Sequence, residues 1–321
     1  MTALRDLLEA RQVRIYFATI VAAVLLSIAV PATIVLEDGI NPALALMLFV
    51  TFLQVPLADL GRALLQIRFL GALLAANFIA VPLLVLGLIQ FLPADPMVRL
   101  GVLFVLLTPC IDYVVTFAHI GRADAKLLLA STPALLVLQM LLLPVYFGLF
   151  LGRDAADLVQ IGPFLHAFIW LIAMPLALAA IVQLGAARNE AAGKIAAVLG
   201  LLPVPATALV LFIVFASVVP QLGLAFGSAM RAVPVYIAFA IAAPLVGWGI
   251  GQMAGLDAPA GRAVAFSAAT RNSLVVLPLA FAVPNAMPLL PAIIVAQTVV
   301  ELVSSLVYMR LIPKLGRGSS G

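Results

Sequence analysis

Long apolar runs separated by short charged or Gly/Pro-rich breaks set the pattern of this chain. A helix that crosses hydrocarbon needs about 20 mostly apolar residues. Ten runs reach that length, at roughly 14–36, 40–58, 67–93, 97–120, 125–151, 162–186, 194–221, 232–254, 260–284 and 289–312. The pattern predicts an all-α polytopic membrane protein of ten transmembrane helices.

Composition agrees. Of 321 residues, 65% are hydrophobic and 9% charged, with a mean hydropathy of +1.27. Soluble domains carry about 25% charged residues, so the solvent of this chain is a lipid bilayer. The net charge of +4 sits in short connectors, which argues against a nucleic-acid partner. With ten spans, Arg99, Arg153 and Arg231 fall on one side of the membrane, and thirteen of the seventeen Lys and Arg fall on the other, with both termini. That bias predicts cytoplasmic N- and C-termini in the cell's inner (plasma) membrane. The mixed, charged segment Met1–Gln12 does not read as a cleavable signal. Residues 316–321 read as a flexible tail.

Five spans make an odd unit, so two such units in series face opposite ways. Residues 1–156 and 157–321 are therefore expected to be two inverted five-helix repeats of one integral membrane unit. The fourth and ninth spans repeat an order of breaks. Arg99 precedes Thr108-Pro109-Cys110-Ile111-Asp112 in one, and Arg262 precedes Thr270-Arg271-Asn272-Ser273 in the other. Proline in a helix interior costs about 3 kcal/mol, and lipid cannot satisfy the freed backbone. Both helices are expected to break near the midplane, where a solute site would lie. For Pro109 alone, a simple kink remains the alternative.

Three charges lie deep in spans: Asp112, Arg271 and Glu301. Each costs about 2.5–3.5 kcal/mol at a helix centre on insertion scales. Together they leave one negative charge if all are ionised, which makes Glu301, with Asp112 second, a candidate proton carrier. The alternative is a structural Arg271–Asp112 ion pair. The lone cysteine, Cys110, is either a small hydrophobe or a soft contact for a thiophilic solute. His119 and His166 read as interfacial, Asp59 and Arg62 as a surface pair, and Trp170 and Trp248 as packing or anchors. No Cys/His cluster has metal spacing, and the sequence implies no cofactor. With no nucleophile–base or HExxH motif, an enzyme or a non-transporting sensor is disfavoured.

These residues resemble the bile acid:sodium symporter superfamily, and within it the arsenite-efflux permeases of arsenical resistance. The matching pieces are Thr108-Pro109-Cys110 and Val299-Val300-Glu301-Leu302. The resemblance implies a secondary transporter in which Cys110 and Glu301 help to move arsenite or antimonite outward. In the sodium-coupled members a glutamate and a glutamine stand where this chain has Ser267 and Arg271, so Arg271 brings fixed positive charge to a cation's place. The expectation is metalloid efflux, proton-coupled or uncoupled, through Thr108, Pro109, Cys110, Asp112, Arg271, Asn272, Ser273 and Glu301. Sodium-coupled uptake of an organic anion is the alternative. In that case Arg271 would be the anion's counter-charge, unless it is paired with Asp112.

Overall fold

In the absence of water every backbone polar group must be satisfied within the protein, which favours the helix. The computed structural model describes residues 2–54, 66–111, 113–151, 162, 165–166, 169–281, 283 and 288–316. Helices dominate them, and the only β-type pairing among them is an isolated bridge between Pro109 and Arg271. Seven of these helical stretches are long and apolar enough to cross a membrane, and Pro96–Leu106 and Met174–Ala186 are shorter apolar helices.

The predicted fourth run is two helices, α5 (Pro96–Leu106) and α6 (Val114–Ile120). The predicted ninth run is likewise α12 (Ala258–Ala269) and α13 (Ser273–Phe281). Before the first break lie α1 (Thr2–Ala29), α2 (Ile40–Phe52), α3 (Ile67–Ala75) and α4 (Val81–Leu88). A 3-10 segment, Pro31–Gly39, leads into α2, and a π turn, Ala76–Ala80, joins α3 to α4. Between the breaks run α7 (Ala125–Leu151), α8 (Met174–Ala186), α9 (Glu190–Leu199), α10 (Pro203–Val218) and α11 (Leu222–Met253). The last helix is α14 (Leu289–Leu311). The run expected at 194–221 is thus divided, with turn residues at 200 and 201 between α9 and α10.

The polar residues of the connectors start helices. Asp95 accepts from the N–H of Met97 at 2.9 Å and begins α5. Asp257 accepts from Ala260 at 3.0 Å and begins α12. Asp124 and Asn189 do the same before α7 and α9. Each carboxylate or amide oxygen fills one of the four donors that a helix start leaves open.

The chain forms two contact units, each drawn from both halves of the sequence. One comprises Met1–Leu57 and Gln160–Ala225, and the other Ala58–Val159 and Phe226–Gly321. This is a division in space, distinct from the expected repeat boundary at 156/157. In the first unit α10 packs on α1 and α2, and α8 on α2. Gln183 of α8 donates to the carbonyl of Phe52 at 3.0 Å.

In the second unit α5 packs on α14, and α12 contacts α3, α6 and α7. Small residues let α11 approach α12 backbone to backbone. A Cβ on Gly247 would lie 2.6 Å from the Ala268 Cβ and 2.9 Å from the Ala265 Cα. Close approach through small residues drives helix association in lipid, where hydrophobicity cannot. At the start of α12, the Arg262 guanidinium donates to the Leu315 carbonyl through Nε and Nη2, at 3.0 and 2.7 Å, and to the Arg122 carbonyl through Nη1 at 3.2 Å. Those carbonyls follow the C-terminal ends of α14 and α6, where cations are favoured.

Candidate functional site

The two breaks cross within the second unit. The N–H of Cys110 donates to the Thr270 carbonyl at 3.1 Å, and the N–H of Asn272 donates to the Thr108 carbonyl at 2.7 Å. These bonds flank the Pro109–Arg271 pair, so the pair itself occupies the non-hydrogen-bonded position of an antiparallel bridge. Proline has no N–H to give, and at this position none is required. For the same reason the N–H of Arg271 points away from the bridge. It donates to Glu301 Oε2 at 2.8 Å.

Glu301 accepts twice more, from the Tyr113 hydroxyl to Oε1 at 2.7 Å and from Gln297 Nε2 to Oε2 at 2.6 Å. Gln297 sits one turn before it on α14, and Tyr113 stands at the end of the first break. The carboxylate is therefore the acceptor for main-chain and side-chain donors around the crossing. Buried carboxylates persist in lipid only with such partners.

The guanidinium of Arg271 turns the other way. Its Nη2 lies 2.6 Å from the Ser267 carbonyl, 2.7 Å from the Ala268 carbonyl and 2.9 Å from Asn77 Oδ1. Its Nη1 donates to the Leu106 carbonyl at 3.3 Å. These main-chain oxygens belong to the last turns of α5 and α12, which a break leaves without intrahelical donors. One side chain thus caps two half-helix C-termini, and their dipoles favour its charge. Its Cζ lies 5.4 Å from the centroid of Phe239 on α11, within cation–π range. Arg271 is fully buried, at 0% exposure.

Asn77 is held by the π turn. Its Nδ2 donates to the Leu73 carbonyl at 3.0 Å and to Ser267 Oγ at 2.9 Å, which leaves Oδ1 to face Arg271. π turns recur at functional sites because they redirect one side chain out of helical register. Nη2 thus fills the space inside three oxygens.

Of the residues that the sequence singles out, the structure gathers Thr108, Pro109, Cys110, Arg271, Asn272, Ser273 and Glu301 at this crossing. All of them are buried. Thr108 Oγ1 bonds the Phe104 carbonyl at 2.9 Å. Asn272 Oδ1 caps α13 through Val275 N at 3.3 Å. Ser273 Oγ accepts from Thr298 at 2.9 Å. Asp112 lies outside the described residues, and with it the alternative Arg271–Asp112 ion pair. Among the described residues the only side-chain ion pair is Arg5–Glu9. Asn77, Tyr113, Gln297, Thr298 and Phe239 were not singled out from sequence. Gln297 had a readable signal, a polar residue one turn before Glu301. Asn77 had only its isolation in an apolar run.

A multi-pass helical chain whose buried polar groups converge on two crossed, broken helices is a membrane transport protein. It belongs to the sodium bile acid symporter family, whose model matches residues 41–223, and members of that family are transporters. The match covers the Thr108–Cys110 side of the crossing and ends before Arg271. No curated protein matches the chain.

Proposed function

We propose that this chain is a sodium-independent secondary transporter that exports a small neutral hydroxylated solute, arsenite or antimonite first. One observation carries the reading. The Arg271 guanidinium is buried, and its hydrogen bonds go to protein oxygens. It stands as a resident cation, so the crossing needs no sodium at that point. Its two terminal nitrogens are engaged by protein oxygens, and Nε alone has no hydrogen-bond partner. Arsenous acid is mostly uncharged at neutral pH and asks for no counter-charge. Cys110 offers one sulfur contact at the break, and a single sulfur binds too weakly to trap the solute. Glu301 is the group proposed to exchange a proton, with Asp112 as a second.

The proposed architecture is ten spans in two inverted five-helix repeats, crossing at the bilayer midplane, with both termini in the cytoplasm of an inner-membrane protein. Internal likeness supports the repeat. Thr108 and Thr270 each stand thirteen residues after the capping Asp95 or Asp257. Each also bonds the carbonyl of a phenylalanine one turn back, Phe104 or Phe266, at 2.9 Å.

The test is flux into and out of liposomes holding the purified protein, with arsenite and a bile acid compared under imposed proton gradients. The reading predicts arsenite flux driven by the proton gradient. Bile-acid flux without arsenite flux would establish the second reading, an organic-anion carrier, which the family match favours.

A further inference from the structure

We infer that the buried face of α14 carries a water-filled polar track past Glu301, and that this track supplies its proton. This rests on the reading of Glu301 as a proton-exchanging group. Gln297, Glu301 and Ser305 recur at four-residue spacing, so they form one stripe spanning about 12 Å along the helix. Each is at most 4% exposed. An apolar residue at any of these places would be less costly to bury in a protein core or in lipid.

Two members of the stripe have oxygens without a partner. Gln297 Oε1 and Ser305 Oγ have no hydrogen bond, nor does Asn272 Nδ2 in the adjoining break. Ser305 is the more telling. A helical serine ordinarily returns its hydroxyl to the carbonyl one turn back, as Thr298 does to Ile294 at 3.1 Å on the same helix. Buried polar atoms are nearly always bonded, and an orphan marks a bound water or ion. The two orphan oxygens lie one turn before and one turn after Glu301. Asn272 belongs to the break that meets this helix, since its neighbours Arg271 and Ser273 bond Glu301 and Thr298. Water bridging these atoms would give each its missing bond and place a proton donor against the carboxylate.

The proton balance is simple. A proton arriving from the track forms an O–H bond at Glu301 Oε1, and the water that gave it is left as hydroxide until bulk water restores it. Oε1 then becomes the donor and the Tyr113 hydroxyl, 2.7 Å away, the acceptor, since a phenol serves as either. No heavy atom has to move. Oε2 keeps its bonds from Gln297 and the Arg271 N–H. Among the described residues, the charged or titratable groups facing Glu301 are Tyr113 and Arg271 from the two breaks and Tyr308 on α14 itself.

Silver ion, close to water in size, reads the track directly, because it binds thiolates that water reaches. Ser305→Cys and Ala292→Cys are exposed to silver in liposomes, with the unsubstituted protein reporting Cys110. Ala292 is equally buried, at 1%, but lies on the opposite face of α14. The expected result is a silver adduct at Ser305→Cys beyond that of the unsubstituted protein, and none at Ala292→Cys. Equal behaviour of the two variants, both reactive or both inert, overturns the track. A second arm keeps native shape. Ser305→Val should lower the stimulation of solute flux by a proton gradient, and Ser305→Thr should restore it. Unchanged stimulation in Ser305→Val overturns the proton role. The silver arm needs no transported solute, so its failure is distinct from failure of the arsenite reading.

Discussion

Arg271 meets Glu301 through its main chain and not through its guanidinium. The amide N–H lies 2.8 Å from Glu301 Oε2, while Nη2 lies 2.6 Å from the Ser267 carbonyl on the other side of the bridge. One residue therefore serves two ends. Its backbone anchors the carboxylate of α14, and its side chain closes the C-termini of α5 and α12.

Arg271→Gln should be strongly destabilising. It leaves the carbonyls of Leu106, Ser267 and Ala268 without their donor and Glu301 as an unbalanced buried charge. Removing one partner of a buried charged arrangement costs about 3–5 kcal/mol. Thermal unfolding of the purified protein in detergent checks this. A melting curve matching the unsubstituted protein would mean the guanidinium caps nothing of consequence.

Asn77→Ala should cost about 1–3 kcal/mol, the usual penalty for leaving buried hydrogen-bonding groups unmet. It strips one acceptor from Arg271 and the donor to Ser267 Oγ. The loss should be smaller in an Arg271→Gln background, because the two residues share a bond. A double-mutant cycle measures that coupling, and strict additivity would contradict it.

Much of this site was legible in the chain. Pro109 and the polar run at 270–273 announced two breaks, and Arg271 and Glu301 announced themselves as charges in apolar runs. What the sequence could not tell is how they meet. A bridge between residues as distant as 109 and 271 is fixed by which positions lack N–H bonds, and this follows only from register. Asn77 is positioned by a π turn, and no hydrophobic period records such a shift. The two contact units were hidden for a similar reason, since each collects helices from both halves of the chain.

Gly247→Ala should destabilise the α11–α12 contact by about 1–3 kcal/mol, the range for overpacking. The new methyl would meet Ala265 Cα at 2.9 Å, and backbone cannot yield as a flexible side chain can. Gly249→Ala, whose new methyl would have nothing within 4 Å, should be close to neutral. Melting temperatures of the two variants, compared side by side, check the contrast.

Arg262→Met should loosen the segment after α14. The substitution removes both bonds to the Leu315 carbonyl and the bond to Arg122. Hydrogen exchange at residues 312–316 and 121–125 should quicken, while the Thr108–Asn272 crossing stays protected. Unchanged exchange at both ends would show that the clasp holds nothing.

The central claim is that Arg271 takes the part of a coupling cation. The direct measurement is the initial rate of solute flux into liposomes as sodium is replaced by choline, at fixed pH and membrane potential. The account predicts a rate that does not change with sodium. A rate that rises and saturates with sodium would contradict it.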